Sequence, residues 1–198
     1  SMARYEMLNN IAHRDLKVAI GFGPQFGDAV GMVPAYPSEF AELQREYPIF
    51  LRREAGTGAW QSVALLGFEQ HENLYLQDGR WNASYLPGAA AKGPFLIGFQ
   101  EHYVDGLLTQ DAVMHVDLDH PRVTSGAGEP VFLPQGGNTP YLDHIAGVLR
   151  GIHEGSAFAA GMFTMLDDCG LIQPVTLDVQ LAPHHRVGVS GLHGIDRE

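Results

Sequence analysis

Positive charge is scarce in this chain. Twelve Lys plus Arg residues stand against 23 Asp plus Glu, giving a formal net charge of −11. Only Lys17 and Lys92 are lysines, and no basic cluster exceeds the pair Arg52-Arg53. A surface that tracks phosphates needs clustered Lys and Arg, so nucleic acid and anionic membranes are disfavoured as partners. Cysteine is nearly absent as well. Cys169 is the only one, so no internal disulfide can form, and a reducing, cytoplasmic compartment is expected. No apolar run approaches the ~20 residues that span a bilayer, so no membrane insertion is expected. The N-terminal stretch also lacks an apolar segment followed by a small-residue cleavage site.

What is present suits a globular protein. The hydrophobic content is 45% and the length 198 residues, enough for one domain over 1–198 with a sizeable core. Residues 15–20 read as a strand running into the glycine-rich stretch 21–31, in which two phenylalanines suggest an ordered loop. A short helix is expected near residue 40, with Ser38 as its cap and Phe40, Leu43 and Tyr47 at helical spacing. Pro48 ends it, and a strand begins at Ile49.

An antiparallel section should follow. Gly56 and Gly58 mark a turn before the apolar run Val63–Leu66. Leu74 and Leu76 alternate with polar neighbours up to Asp78-Gly79, a dipeptide favoured in two-residue hairpins. Phe95–Phe99 and Val113–Leu118 read as further strands, and 124–138 as a long loop or a pair of turns.

The strongest helical pattern covers 139–169. Thr139 is its candidate N-cap, Pro140 its first residue, and Leu142, Ile145, Leu149, Ile152, Phe163 and Leu166 its apolar stripe. Gly151 and Gly155-Ser156 leave open a break into two helices, and Gly170 with Leu171 suits the C-terminal cap. Strands first and a long helix later give α+β: a single domain with a mostly antiparallel sheet, a short helix near residue 40 and a long C-terminal helix.

Several blocks together resemble the bacterial SapC-like family. They are Val33-Pro34, Glu39-Phe40 and Tyr47–Phe50; then Ala64–Phe68, Glu72–Leu74, Asp78–Trp81 and Tyr85–Pro87; then Gly128–Phe132, Thr139-Pro140, Ala157-Phe158 and Gly170–Pro174. The likeness covers roughly residues 30–180, and Gly194–Asp196 resembles the start of a further C-terminal block, which would leave the chain truncated there. The resemblance implies a Gram-negative bacterial protein associated with export of surface-layer (S-layer) protein. It brings no agreed catalytic residues.

Two sets of residues could carry function. Trp81, Arg80, Tyr85 and Tyr75 lie in an aromatic-rich stretch that, where exposed, would bind a protein or peptide partner. His115 and Asp117 are two apart on an apolar strand and therefore share a face. With a distant third histidine (His184, or else His185 or His193) they would form the two-His-one-carboxylate arrangement of Fe(II) oxygenases. Arg186 would then hold the carboxylate of 2-oxoglutarate. The plainer reading makes His115 and Asp117 strand-end polar residues before a turn. His71-Glu72 and Glu101-His102 point to opposite sides of their strands, and Cys169, near a helix C-terminus, is read as a buried small side chain.

The leading expectation is thus an accessory protein without a cofactor, binding a protein or peptide connected with envelope export or uptake, and compatible with a homo-oligomer. The alternative is an Fe(II)/2-oxoglutarate-dependent oxygenase using His115, Asp117 and His184.

Overall fold

The computed structural model of the chain describes residues 3–196. Along them run the strands β1 (Tyr5–Met7), β2 (Lys17–Val18), β3 (Met32–Pro34), β4 (Ile49–Arg53), β5 (Trp60–Leu65), β6 (Leu76–Gln77) and β7 (Arg80–Trp81). Then come β8 (Phe95–Val104), β9 (Leu107–Asp117), β10 (Val123–Thr124), β11 (Glu129–Pro130), β12 (Ile172–Ala182) and β13 (His185–Ile195). The helices are α1 (Phe40–Leu43), α2 (Gly88–Ala91) and α3 (Pro140–Asp168). Every strand pair described is antiparallel, and the class is α+β as expected. The strands are divided among four sheets rather than one.

The chain divides into two compact units. One holds the residues up to Gly21 and Ala91–His153. It contains the sheets β1-β9-β8 and β10-β2-β11. Its core gathers Val18, Phe95, Val116, Val131, Leu142, Ile145 and Leu149. The other holds Phe22–Ala90 and the chain from Glu154 on. It contains the five-stranded sheet β12-β13-β4-β5-β3 and the small hairpin β6-β7. Val33, Ala35, Leu43, Tyr47, Ala64 and Leu66 form its core.

Helix α3 is one uninterrupted helix of 29 residues, so Gly151 and Gly155 do not divide it. Thr139 Oγ1 accepts from Leu142 N at 3.3 Å, which makes Thr139 the N-cap. At the other end Gly170 has φ 69°, Gly170 N donates to Asp167 O and Leu171 N to Leu166 O. This pair of bonds is the Schellman closure. Cys169, expected to be buried, is exposed beside that cap, because the apolar stripe ends at Leu166. Among the described residues no helix is long and apolar enough to cross a membrane.

Gly155 is a contact point rather than a break. A Cβ there would lie 2.6 Å from Ser38 Oγ and 3.0 Å from Tyr36 Cβ, so the helix backbone rests on the 36–38 turn. Gly155→Val is therefore expected to destabilise by ~2 kcal/mol, an overpacking cost. Gly155→Ala should lose much less, because better helix propensity returns up to ~1 kcal/mol. Urea unfolding midpoints of the two variants check this; equal midpoints would mean that the contact is soft.

Candidate functional site

Residues 36–47 and 72–88 of the second unit are tied together by a network of hydrogen bonds. The short helix near residue 40 is entered through a turn whose N-cap position is Tyr36 rather than Ser38. Tyr36 N donates to Glu39 Oε2 at 3.2 Å, while Glu39 N donates to Tyr36 O. The Glu39 side chain is buried, and its Oε1 accepts from Tyr85 Oη and from Gly88 N, each at 3.0 Å. One carboxylate thus joins three segments. Burial pushes its carboxyl above the ordinary value of 4.5, against the lowering effect of the three donors.

Tyr47 stands at the centre. Its hydroxyl donates to Tyr85 O and receives the indole N–H of Trp81 at 2.7 Å. Tyr75 packs on Tyr47 at 4.5 Å between centroids, stacks with Trp81 at 6.4 Å, and donates its hydroxyl to Glu46 O. The Glu46 carboxylate accepts from Ser84 N and Tyr85 N, and those backbone bonds hold its carboxyl below the usual range. Burial raises the phenols of Tyr36, Tyr75 and Tyr85, with Glu39 or Glu46 adding to the shift. Burial likewise carries Tyr47 to about 12, so these hydroxyls remain protonated donors at neutral pH.

The hairpin in front is set by its turn. Asp78 and Gly79 both have positive φ, 49° and 75°, as the Asp-Gly pair predicts for a two-residue turn that matches strand twist. Phe22 N donates to Gly79 O, and the Phe22 ring meets Trp81 edge-on at 5.7 Å. The glycine-rich stretch is therefore an ordered loop laid against the hairpin. Asn73 fastens the same region, donating to Asp28 O at 2.9 Å and accepting from Tyr75 N at 3.0 Å.

Two hollows open here. One of about 460 Å³ is lined by Phe22, Pro24, Gln25, His71, Asn73 and Asp78 among others. The second, about 440 Å³, lies between Gln77, Asp78, Arg80, Trp81 and Asn82, sharing Gln77 and Asp78 with the first. Volumes of this size fall within the range of ligand-binding clefts. Arg80 is exposed at the lip and makes no ion pair among the described residues.

The structure therefore brings together Tyr75, Trp81 and Tyr85, half-buried, with Arg80 exposed beside them. The polar atoms of the three aromatics are used within the fold. Glu39, Glu46, Tyr47 and Phe22 complete the region. Nothing local in the sequence marks them, since their contacts with residues 75–88 span tens of positions.

The histidine set is placed differently. His115 and Asp117 share a face of β9, but the His115 ring lies across Gly98 of β8, where any Cβ would collide with it. Its Nδ1 is buried without a partner. Asp117 Oδ1 accepts from Arg4 N at 3.1 Å and from Asp119 N at 3.0 Å, closing the turn after the strand. His184 is exposed in the short link between β12 and β13, His185 lies 3.5 Å from Glu69, and Arg186 lies 3.7 Å from Asp178. His193 packs edge-on against Trp60 at 4.8 Å. Among the described residues no group of three His, Cys, Asp or Glu side chains is placed to hold a metal ion.

The sequence model of the SapC family matches residues 8–198, nearly the whole chain. No curated protein and no solved structure gives a match.

Proposed function

The chain belongs to the SapC family, and on that premise we propose that it is an accessory protein that binds a protein or peptide partner during envelope export or uptake. The observation that carries this reading is the Arg80–Trp81 lip. A cation with no ion pair among the described residues stands beside a half-buried indole, at the edge of two adjoining hollows. Arg and Trp are the side chains most often found at the energetic centres of protein interfaces. The region behind them is pinned by hydrogen bonds, so little ordering entropy would be lost on binding. The partner chemistry that fits is a polypeptide offering a carboxylate to Arg80 and an apolar side chain to the hollow beside Phe22.

A randomised peptide display against the full chain, with Arg80→Glu as the counter-screen, tests the reading. Selected peptides should bind the wild type and lose affinity by about 30-fold on Arg80→Glu, a hot-spot loss of ~2 kcal/mol. Melting temperature should hardly change, since Arg80 is exposed. Peptides that bind both proteins alike would remove the lip from the account.

A further inference from the structure

The hairpin β8-β9 extends well beyond the core that holds its base. Its strands pair over ten positions, from Phe95↔Val116 to Val104↔Leu107, without a register shift. Asp105 and Gly106, with φ 51° and 78°, close it in a two-residue turn. Phe95 and Val116 are buried, and Ile97 and Met114 pack on the same core. Beyond these positions the side chains emerge: Phe99 is 49% exposed, Tyr103 74%, Leu107 73% and Leu108 55%. The edges are open too. Strand β1 pairs with β9 at His115–Asp117, Leu8 N adds a bond to Met114 O, and among the described residues β8 is the last strand of its sheet.

Natural proteins guard such edges with charged side chains (lysine above all), proline, bulges or short strands. This hairpin has no lysine, proline or bulge: residues 95–117 contain no Lys, Arg or Pro, and its outer part carries the acidic Glu101, Asp105 and Asp111, with Asp117 at its base. We infer that the outer edge of β8 is a docking site for an extended segment of another polypeptide, added as a fourth strand to the sheet β1-β9-β8. The side chains set the sequence it takes. On one face of β8 lie Phe99, Glu101 and Tyr103 in succession, because alternate residues of a strand share a face. A strand beside them is complementary when three alternate positions read apolar, Lys or Arg, apolar, since directly opposed pairs set sheet specificity.

Charge selects this occupant over the others. A second copy would set acidic hairpin against acidic hairpin in a chain of net charge −11, and like charges opposed across strands are unfavourable. An anionic lipid surface is repelled by the same three carboxylates. This surface shares no residue with the Arg80 lip, so the two proposals fail independently.

The probe is a seven-residue peptide with valine, lysine and valine at alternate positions and threonine between, titrated into the full chain and followed by amide hydrogen exchange. Amides of Gly98–Val104 should slow on binding. Glu101→Lys should weaken the lysine peptide by about tenfold and strengthen its glutamate counterpart, as paired charge reversal requires. Glu101→Gln should fall between them, and Arg80→Glu should leave this binding unchanged. Glu101 is exposed and among the described residues accepts a side-chain bond only from Gln110 Nε2, at 2.9 Å, so these variants keep the fold. Equal binding of the glutamate peptide, or of a backbone-N-methylated lysine peptide that cannot pair as a strand, would overturn the inference. So would hairpin protection that rises with protein concentration alone, which would make a second copy the occupant, or protection by phosphatidylcholine vesicles.

Discussion

Glu39→Ala is expected to lower the unfolding free energy by ~4 kcal/mol, because a buried donor left without a partner costs ~1–3 kcal/mol. Three donors lose their acceptor at once: Tyr36 N, Tyr85 Oη and Gly88 N. Removing the carboxylate also relieves the penalty of burying it, which keeps the net loss below the largest value these three bonds allow. Glu39→Gln is the informative companion. Its carbonyl can still accept from Tyr85 and Gly88 while its amide cannot accept from Tyr36, so ~1–2 kcal/mol should be lost. The pH dependence separates the variants further. Burial raises the Glu39 carboxyl in the folded state, so as pH rises above the ordinary value the unfolded chain releases its proton first. Stability from this group is therefore full at low pH and is lost as pH climbs through the raised folded value. Glu39→Gln should abolish that loss, and urea unfolding at pH 4 and pH 7 would show it. An unchanged pH slope would mean that Glu39 ionises as an ordinary surface carboxyl.

Phe95→Ala should be as damaging in the other unit, by ~4 kcal/mol, the usual loss when a fully enclosed ring becomes a cavity. Phe95 has no exposed surface, and packs with Val116, Val131, Leu142 and Ile145 and against the Tyr141 ring. Eight residues along the same strand the expectation reverses. Tyr103→Ala at the open end of β8 should stay within ~0.5 kcal/mol of the wild type, as surface substitutions do. Circular dichroism during urea unfolding compares the two. A substantial loss from Tyr103→Ala would show that the hairpin end is packed, and would remove the basis for its role in docking.

This contrast within one strand also explains what the sequence could and could not show. Asp78-Gly79 announced its hairpin, and Thr139-Pro140 with Gly170-Leu171 marked both ends of α3, because turn and cap chemistry is local. Asp105-Gly106 is the same kind of turn. No alternation marks it, because Gln100–His102 and Thr109–Asp111 are polar on both faces. A hairpin projecting from its core has no buried face, so burial imposes no period of two there. The β12-β13 hairpin did carry such a period, with Val175, Leu177 and Val179 alternating with Thr176, Asp178 and Gln180. The histidines and charged residues scattered through the tail mask that period.

The candidate site was legible in the same partial way. Trp81, Tyr75, Tyr85 and Arg80 stand out by residue type in one short stretch. Tyr47 and Glu39, which hold them in place, lie 34 to 49 residues from their partners, and no spacing rule reaches so far. His115 illustrates the converse. A His-X-Asp pattern on a strand is what a metal site needs, yet the same pattern arises when an imidazole covers a glycine on the neighbouring strand and an aspartate closes the next turn.

The most direct test of the polypeptide-binding account is amide hydrogen exchange of the full chain with a display-selected, Arg80-dependent peptide. The account predicts slowed exchange at Phe22–Gln25 and Asn73–Asn82, the backbone around the two hollows, with the five-stranded sheet unchanged. Slowing confined to other segments, or none at all with the peptide bound, would contradict it.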